Sequence, residues 1–226
     1  MADKNPSGCA IVAVATLVLL LASSCRAQGQ RQDHTCTVHA AGSFAIPEGN
    51  DRQNFDKAGW GFQAGGGFAV TRQTETDRGW RWFITSSFAY EKFKANAAAL
   101  AQAKMSNPAQ LSNATSAHGG FSAVTLDITP RYTFDHRGSF YLLGGFGWLR
   151  RGIGFKGVNP GTLLQSNGLT LDRLASNSGV FDAGIGSNHG LTKNGGVMLF
   201  VEARVYRGMA VNGGSTLVPI SLGVRW

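Results

Sequence analysis

A short period constrains this chain more than any other feature. From Cys36 to Trp226, apolar side chains recur at every second position in one segment after another. After residue 22 no apolar run approaches the ~20 residues of a membrane helix. The last ten residues show the pattern clearly. Val218, Ile220, Leu222, Val224 and Trp226 alternate with Leu217, Pro219, Ser221, Gly223 and Arg225. Successive side chains on a strand point to opposite faces, so this segment reads as a strand with one oily face and an aromatic end.

Eight segments carry this signature, at about 36–46, 59–71, 80–94, 121–134, 139–153, 178–188, 196–206 and 217–226. Most reach the ~9–11 residues that a tilted strand needs to cross a bilayer. The first, third, fifth and seventh connections run roughly 12, 26, 24 and 10 residues, and the others roughly 8, 4 and 7. Alternating long loops and short turns, with an even strand number, bring both ends of the chain to one side. The alanine-rich run 96–105 inside the third connection could form a short helix. The expected fold is therefore all-β: an eight-stranded, antiparallel, up-and-down transmembrane β-barrel spanning 36–226, with the last strand paired to the first so that no sheet edge remains.

The composition agrees with a membrane barrel better than with a soluble one. Charged residues make up 15% of the chain, and there are 31 glycines; soluble domains carry about 25% charge. The less oily face of each segment is mostly Gly, Ala, Thr and Ser, too sparse in charge for a water-facing exterior but suited to a crowded lumen. Trp60, Trp80, Trp82, Tyr90, Tyr132, Trp148 and Trp226 fall near strand ends, as interfacial girdles do.

The N-terminus reads as an export signal. Residues 10–22 form an apolar stretch too short to span comfortably, followed by small residues. Cleavage after Ala27 would place Cys25 and Ala27 at the small-residue positions, making 1–27 a signal peptide for the Sec route and 28–35 a short periplasmic lead-in. The rival reading is lipidation at Cys25. Cleavage removes Lys4, Arg26 and Asp3 from a net charge of +8 and leaves +7. It also removes Cys9 and Cys25, so Cys36 would stand alone, without an internal disulfide. The basic balance fits anionic lipid headgroups, and no basic helix or Lys/Arg block points to nucleic acid.

The segments Gly59–Val70 (GWGFQAGGGFAV), Leu142–Arg151 (LLGGFGWLRR), Phe200–Tyr206 (FVEARVY) and the terminal PISLGVRW resemble the small OmpA/OmpX-type outer-membrane barrels, of the outer membrane protein beta-barrel domain family. The resemblance covers about 36–226 and concerns architecture rather than activity. It implies a cell outer membrane of the Gram-negative type, contact with outer-membrane lipid and lipopolysaccharide, and handling by the barrel-assembly machinery. In that family a terminal aromatic residue is the assembly signal, a place taken here by Trp226. A monomer is expected.

An eight-stranded barrel is just wide enough for its own side chains to fill it. Arg81, Glu91, Asp127, Arg131, Arg151, Asp182, Glu202, Arg204 and Arg225 all have inward parity. Opposite charges in a narrow lumen must pair, because an unpaired buried charge costs several kcal/mol. The expectation is a salt-bridge network with Asp127, Arg131, Glu202 and Arg204 at its centre, acting as a polar plug or as a gate in a narrow pore. Catalysis is not expected. A lipid-modifying barrel needs a Ser, His and acid set near the outer rim, whereas His34, His39, His136 and His189 fall elsewhere and His118 sits in a loop beside Ser116. No metal-ligand spacing or phosphate loop is present in the sequence, and no cofactor is implied. The long connections 95–120 and 154–177 offer an alternative role, a surface adhesin acting through its loops.

Overall fold

The computed structural model describes residues 36–49, 51–55, 58–71, 78–106, 108–135, 138–157, 175–192, 196–209 and 214–226. The expected signal peptide, its cleavage or lipidation site, the lead-in, His34 and His136 lie outside the described residues.

Eight strands form one closed antiparallel barrel: β1 (Cys36–Glu48), β2 (Gly59–Ala69), β3 (Gly79–Lys94), β4 (Ser116–Asp135), β5 (Gly138–Lys156), β6 (Ala175–Gly190), β7 (Met198–Gly208) and β8 (Thr216–Arg225). Each strand pairs with its sequence neighbours, and β8 pairs back onto β1, with Ser221 opposite Ser43 and Leu222 opposite Gly42. The last residue completes the seam: the Trp226 amide donates to the Val38 carbonyl at 2.9 Å and the Val38 amide to the Trp226 carbonyl at 2.7 Å. Closure satisfies backbone groups that an open edge would expose.

The ladder is staggered. A path across paired residues runs Arg81, Arg131, Tyr141, Gly186, Glu202, Ser221, Ser43 and Gly61, and returns to β3 at Glu91, ten residues from its start. Strand tilt and this stagger are coupled in any closed barrel. As a consequence, two residues on the same ladder row can sit at opposite ends of the lumen.

Alternation puts the oily set outside. Ile128 is 58% exposed, Phe146 62%, Ile185 57% and Leu222 57%, on four different strands. A continuous apolar exterior of this kind is stable against hydrocarbon and costly against water. Aromatic side chains gather at both ends of the wall. Trp80, Tyr132, Phe134 and Phe140 stack edge to face and tilted near the end that holds Trp226. Phe62, Phe88 and Tyr90 cluster toward the other end.

Several expectations shift at the loop ends. β4 begins at Ser116 and β5 continues to Lys156, so the wall extends beyond the membrane-length segments. His118 consequently lies on β4 opposite Lys94 rather than in a loop, and His189 lies on β6 opposite Gly138 rather than in a turn. The third connection holds two helices, α2 (Ala97–Ser106) and α3 (Pro108–Leu111); α1 (Asp51–Asn54) lies in the first connection. Asn96 caps α2, its Oδ1 accepting the Ala99 amide at 2.7 Å. Leu111 and Ala114 are buried against Leu100, Ala103 and Phe155. Residues 158–174 of the fifth connection lie outside the described residues. Cys36 is disulfide-bonded, which corrects the expectation of a cysteine standing alone.

Candidate functional site

The lumen is filled in three layers. At the end opposite Trp226, Phe55 drops into the barrel behind α1 and meets Phe93 and Phe121, with ring centroids 5.8 Å apart in each pair. Phe93 and Phe121 contact each other edge to face at 5.3 Å. These rings join Ala45, Ala89, Leu149 and Leu217 in a buried apolar cluster. Gly119 makes room for this plug, because a Cβ there would collide with the Phe55 ring. Asp51, fully buried on α1, lies with Oδ1 3.1 Å from Arg151 Nη1 on the rim of β5. Burial pushes its carboxyl above the ordinary aspartate range, against the opposing pull of the Arg151 guanidinium.

The middle layer is ionic. Arg204 on β7 reaches three carboxylates, with Nη1 3.1 Å from both Asp127 Oδ2 and Asp182 Oδ2 and Nη2 3.0 Å from Glu202 Oε1. Arg204 Nε also donates to Glu202 Oε1 at 3.1 Å and Nη1 to Thr125 Oγ1 at 3.2 Å. Glu202 accepts two further bonds, from Gln63 Nε2 at 3.0 Å and from the Tyr141 hydroxyl at 2.8 Å. Ser221 donates to Gln63 Oε1 at 3.1 Å, and Ser87 donates to Asp127 Oδ2 at 3.4 Å. Every strand from β2 to β8 thus contributes to one network across the lumen. Two glycines permit it: a Cβ at Gly145 would strike the Asp127 carboxylate, and one at Gly186 would strike the Tyr141 ring.

The layer nearest Trp226 is aromatic and basic. The Arg225 guanidinium carbon lies 4.7 Å from the Tyr141 ring centroid and 4.8 Å from that of Phe200. Its Nη1 donates to Asn188 Oδ1 at 2.8 Å. Arg131 lies over the Phe83 ring at 4.1 Å. Arg81 lies 5.6 Å from the same ring. His39 packs edge-on against Phe200 at 5.6 Å, with Nε2 3.5 Å from Gln63 Nε2.

The structure brings Asp127, Asp182, Glu202 and Arg204 together. Arg131, expected at the centre of that cluster, is not part of it. It lies four residues from Asp127 on the same strand, about 13 Å along the chain at ~3.3 Å per residue, which an arginine side chain does not bridge back. Arg81 shares Arg131's position in the lower layer. Glu91 lies toward the outer end and accepts the Ser43 hydroxyl at 2.6 Å. Arg151 lies on the outer rim with Asp51. Trp226 is 51% exposed at the seam. Tyr141, Gln63 and Asp51 went unrecognised in the sequence. Tyr141 and Gln63 carry inward parity, a signal that could have placed them; Asp51 lies in an aperiodic loop and offers none.

No family model matches the chain, and no curated protein matches it. Solved structures do resemble it. Neisserial surface protein A (NspA) aligns with a TM-score of 0.50 at 14% identity, covering 84% of this chain and 96% of that one. Ail, the attachment invasion locus protein of Yersinia pestis, in complex with the heparin analogue sucrose octasulfate, gives 0.47 at 12% identity, covering 84% and 97%. The outer membrane protease OmpT from Escherichia coli gives 0.40 at 7%, covering 84% and 96%. The protein has the fold of the small closed β-barrel that NspA represents.

Proposed function

We propose that this protein is an integral outer-membrane β-barrel with a structural role, its lumen closed by its own side chains, and without catalysis. The observation that carries the reading is the Arg204 cluster, one guanidinium holding three carboxylates at 3.0–3.1 Å across the lumen, with the Phe55 plug above it. The apolar exterior supports the membrane, as does the likeness to the fold of a bacterial surface protein. The histidines support the absence of catalysis: His39 is buried in the lower lumen, and His118 is on the outward face of β4. In this reading outer-membrane lipid and lipopolysaccharide surround the wall, 1–27 directs export by the Sec route and is then removed, the barrel-assembly machinery reads the strand ending at Trp226, and the chain is a monomer.

The test is single-channel recording of the refolded mature chain in planar bilayers. A closed lumen gives no steady conductance. Reproducible channels from the wild type would replace the structural role with narrow solute permeation, the polar network then serving as a gate. A second reading, a surface adhesin, draws on the folded third connection, where α2 and α3 pack on Phe155. Deletion of 97–114 would then abolish binding of a surface partner while leaving the barrel folded.

A further inference from the structure

The charges of the lumen are segregated along its axis. Asp127, Asp182 and Glu202 all converge on Arg204 in the middle layer. Below them, toward the end that carries Trp226, lie Arg81, Arg131 and Arg225. The three guanidinium groups are strung along two rings: Arg81 and Arg131 on Phe83, and Arg131 and Arg225 on Tyr141, at 5.9 and 4.7 Å for the latter pair. Arg81 and Arg131 are also directly opposite each other in the β3–β4 ladder, each against the same Phe83 ring.

Arg131 is the decisive residue. It is 6% exposed, it makes no ion pair among the described residues, and its Nε and Nη2 are buried without a hydrogen-bond partner. Arg225 reaches the carboxylate layer only indirectly, its Nη2 lying 3.4 Å from the Tyr141 hydroxyl that donates to Glu202. A guanidinium presents N–H donors in a planar fork, matched by the oxygens of a carboxylate or phosphate. Among the described residues, the lumen carboxylates Asp127, Asp182 and Glu202 are drawn toward Arg204, a layer above.

We propose that the lower lumen, between Arg131, Arg225 and Arg81, is a binding site for a small oxyanion. The anion supplies the acceptor oxygens that Arg131 lacks. Ser139 and Asn188, already hydrogen-bonded to each other at 2.8 Å on the adjoining wall, flank the site. Entry is from the end of the barrel that holds Trp226, where Arg81 is only half-buried, two residues into β3.

The probe is inorganic phosphate, with sulfate as a second oxyanion and chloride as the ionic-strength control. The full chain is refolded in a non-ionic detergent free of phosphate. Binding is read by phosphorus-31 line broadening and by the rise in melting temperature with phosphate concentration. The expected result is saturable binding, competed by sulfate and not by equal chloride, and weakened at least tenfold in R131Q. Arg207→Gln, on the exposed outer end of β7, leaves it unchanged. R131Q removes a buried charge with no ion-pair partner among the described residues, and the desolvation it relieves offsets the lost ring contacts, so its barrel melts no lower than the wild type in phosphate-free buffer. Should R131Q fail to fold, R131K supplies the comparison, because it keeps the charge and loses the fork. Absence of saturable binding to the wild type overturns the proposal. So does equal affinity in R131Q or R131K, which would mark an adventitious ion only.

Discussion

Replacing Arg204 by methionine tests the middle layer most directly. Methionine roughly keeps the length of the side chain and removes the guanidinium. Asp127 Oδ2, Asp182 Oδ2 and Glu202 Oε1 then lose a cation at 3.0–3.1 Å. Ser87, Thr125, Gln63 and Tyr141 remain as neutral donors. Breaking a buried ion pair from one side costs about 3–5 kcal/mol, chiefly because the orphaned charge stays buried. With three orphans the upper end applies, about 5 kcal/mol, or more than a thousandfold in the folding constant. The quadruple variant R204M/D127N/D182N/E202Q removes the orphaned charges as well. If uncompensated charge is the cause, it recovers most of the loss, to within ~1–2 kcal/mol of the wild type. Urea unfolding in lipid vesicles, followed by tryptophan fluorescence, measures both. Heat-modified mobility on a gel gives a simpler readout, and R204A weakens it in the same way. A loss under ~1 kcal/mol for R204M would refute the argument, as would a quadruple variant no more stable than the single one.

The other consequences are smaller in scope. Gly186→Ala pushes a methyl group into the Tyr141 ring and costs about 1–3 kcal/mol by overpacking; G186A/Y141L recovers part of it in the same urea assay. Ile220→Arg, at the middle of the outward face of β8, costs about 2–4 kcal/mol in vesicles if that face meets lipid. Asp51 sets a pH dependence at the outer plug. Its folded pKa lies above its unfolded value near 3.8, so the folded plug holds the proton more tightly. The stabilisation is complete below that value and is lost as pH rises through the folded pKa. Asp51→Asn therefore gains on the wild type between pH 4 and pH 7, measured as the difference in urea midpoints at the two values.

Parity was legible in the chain. A period of two decides which side of a wall a residue faces, and the inward set of β7, with Phe200, Glu202, Arg204 and Tyr206, follows from that alone. The loop contributions were not legible. Phe55 and Asp51 sit in a connection with no period, and only the folded barrel shows that this connection turns back into the mouth. α2 was visible because alanines favour helix and Asn96 supplies a cap, both of them local effects.

The sequence by itself determined the number of strands and their faces, and its even count anticipated the closure of β8 on β1. Local alternation suffices for the faces, because it depends on neighbours in the chain. Height along the lumen was decided only by the tertiary structure. The ten-residue stagger places Arg81 and Glu91 of one strand on one ladder row at opposite ends. The same stagger lifts Asp182 to Arg204 and leaves Arg131 below with Arg225. Which charges meet across a barrel depends on that stagger and on side-chain reach, and neither is written in the period of any single strand.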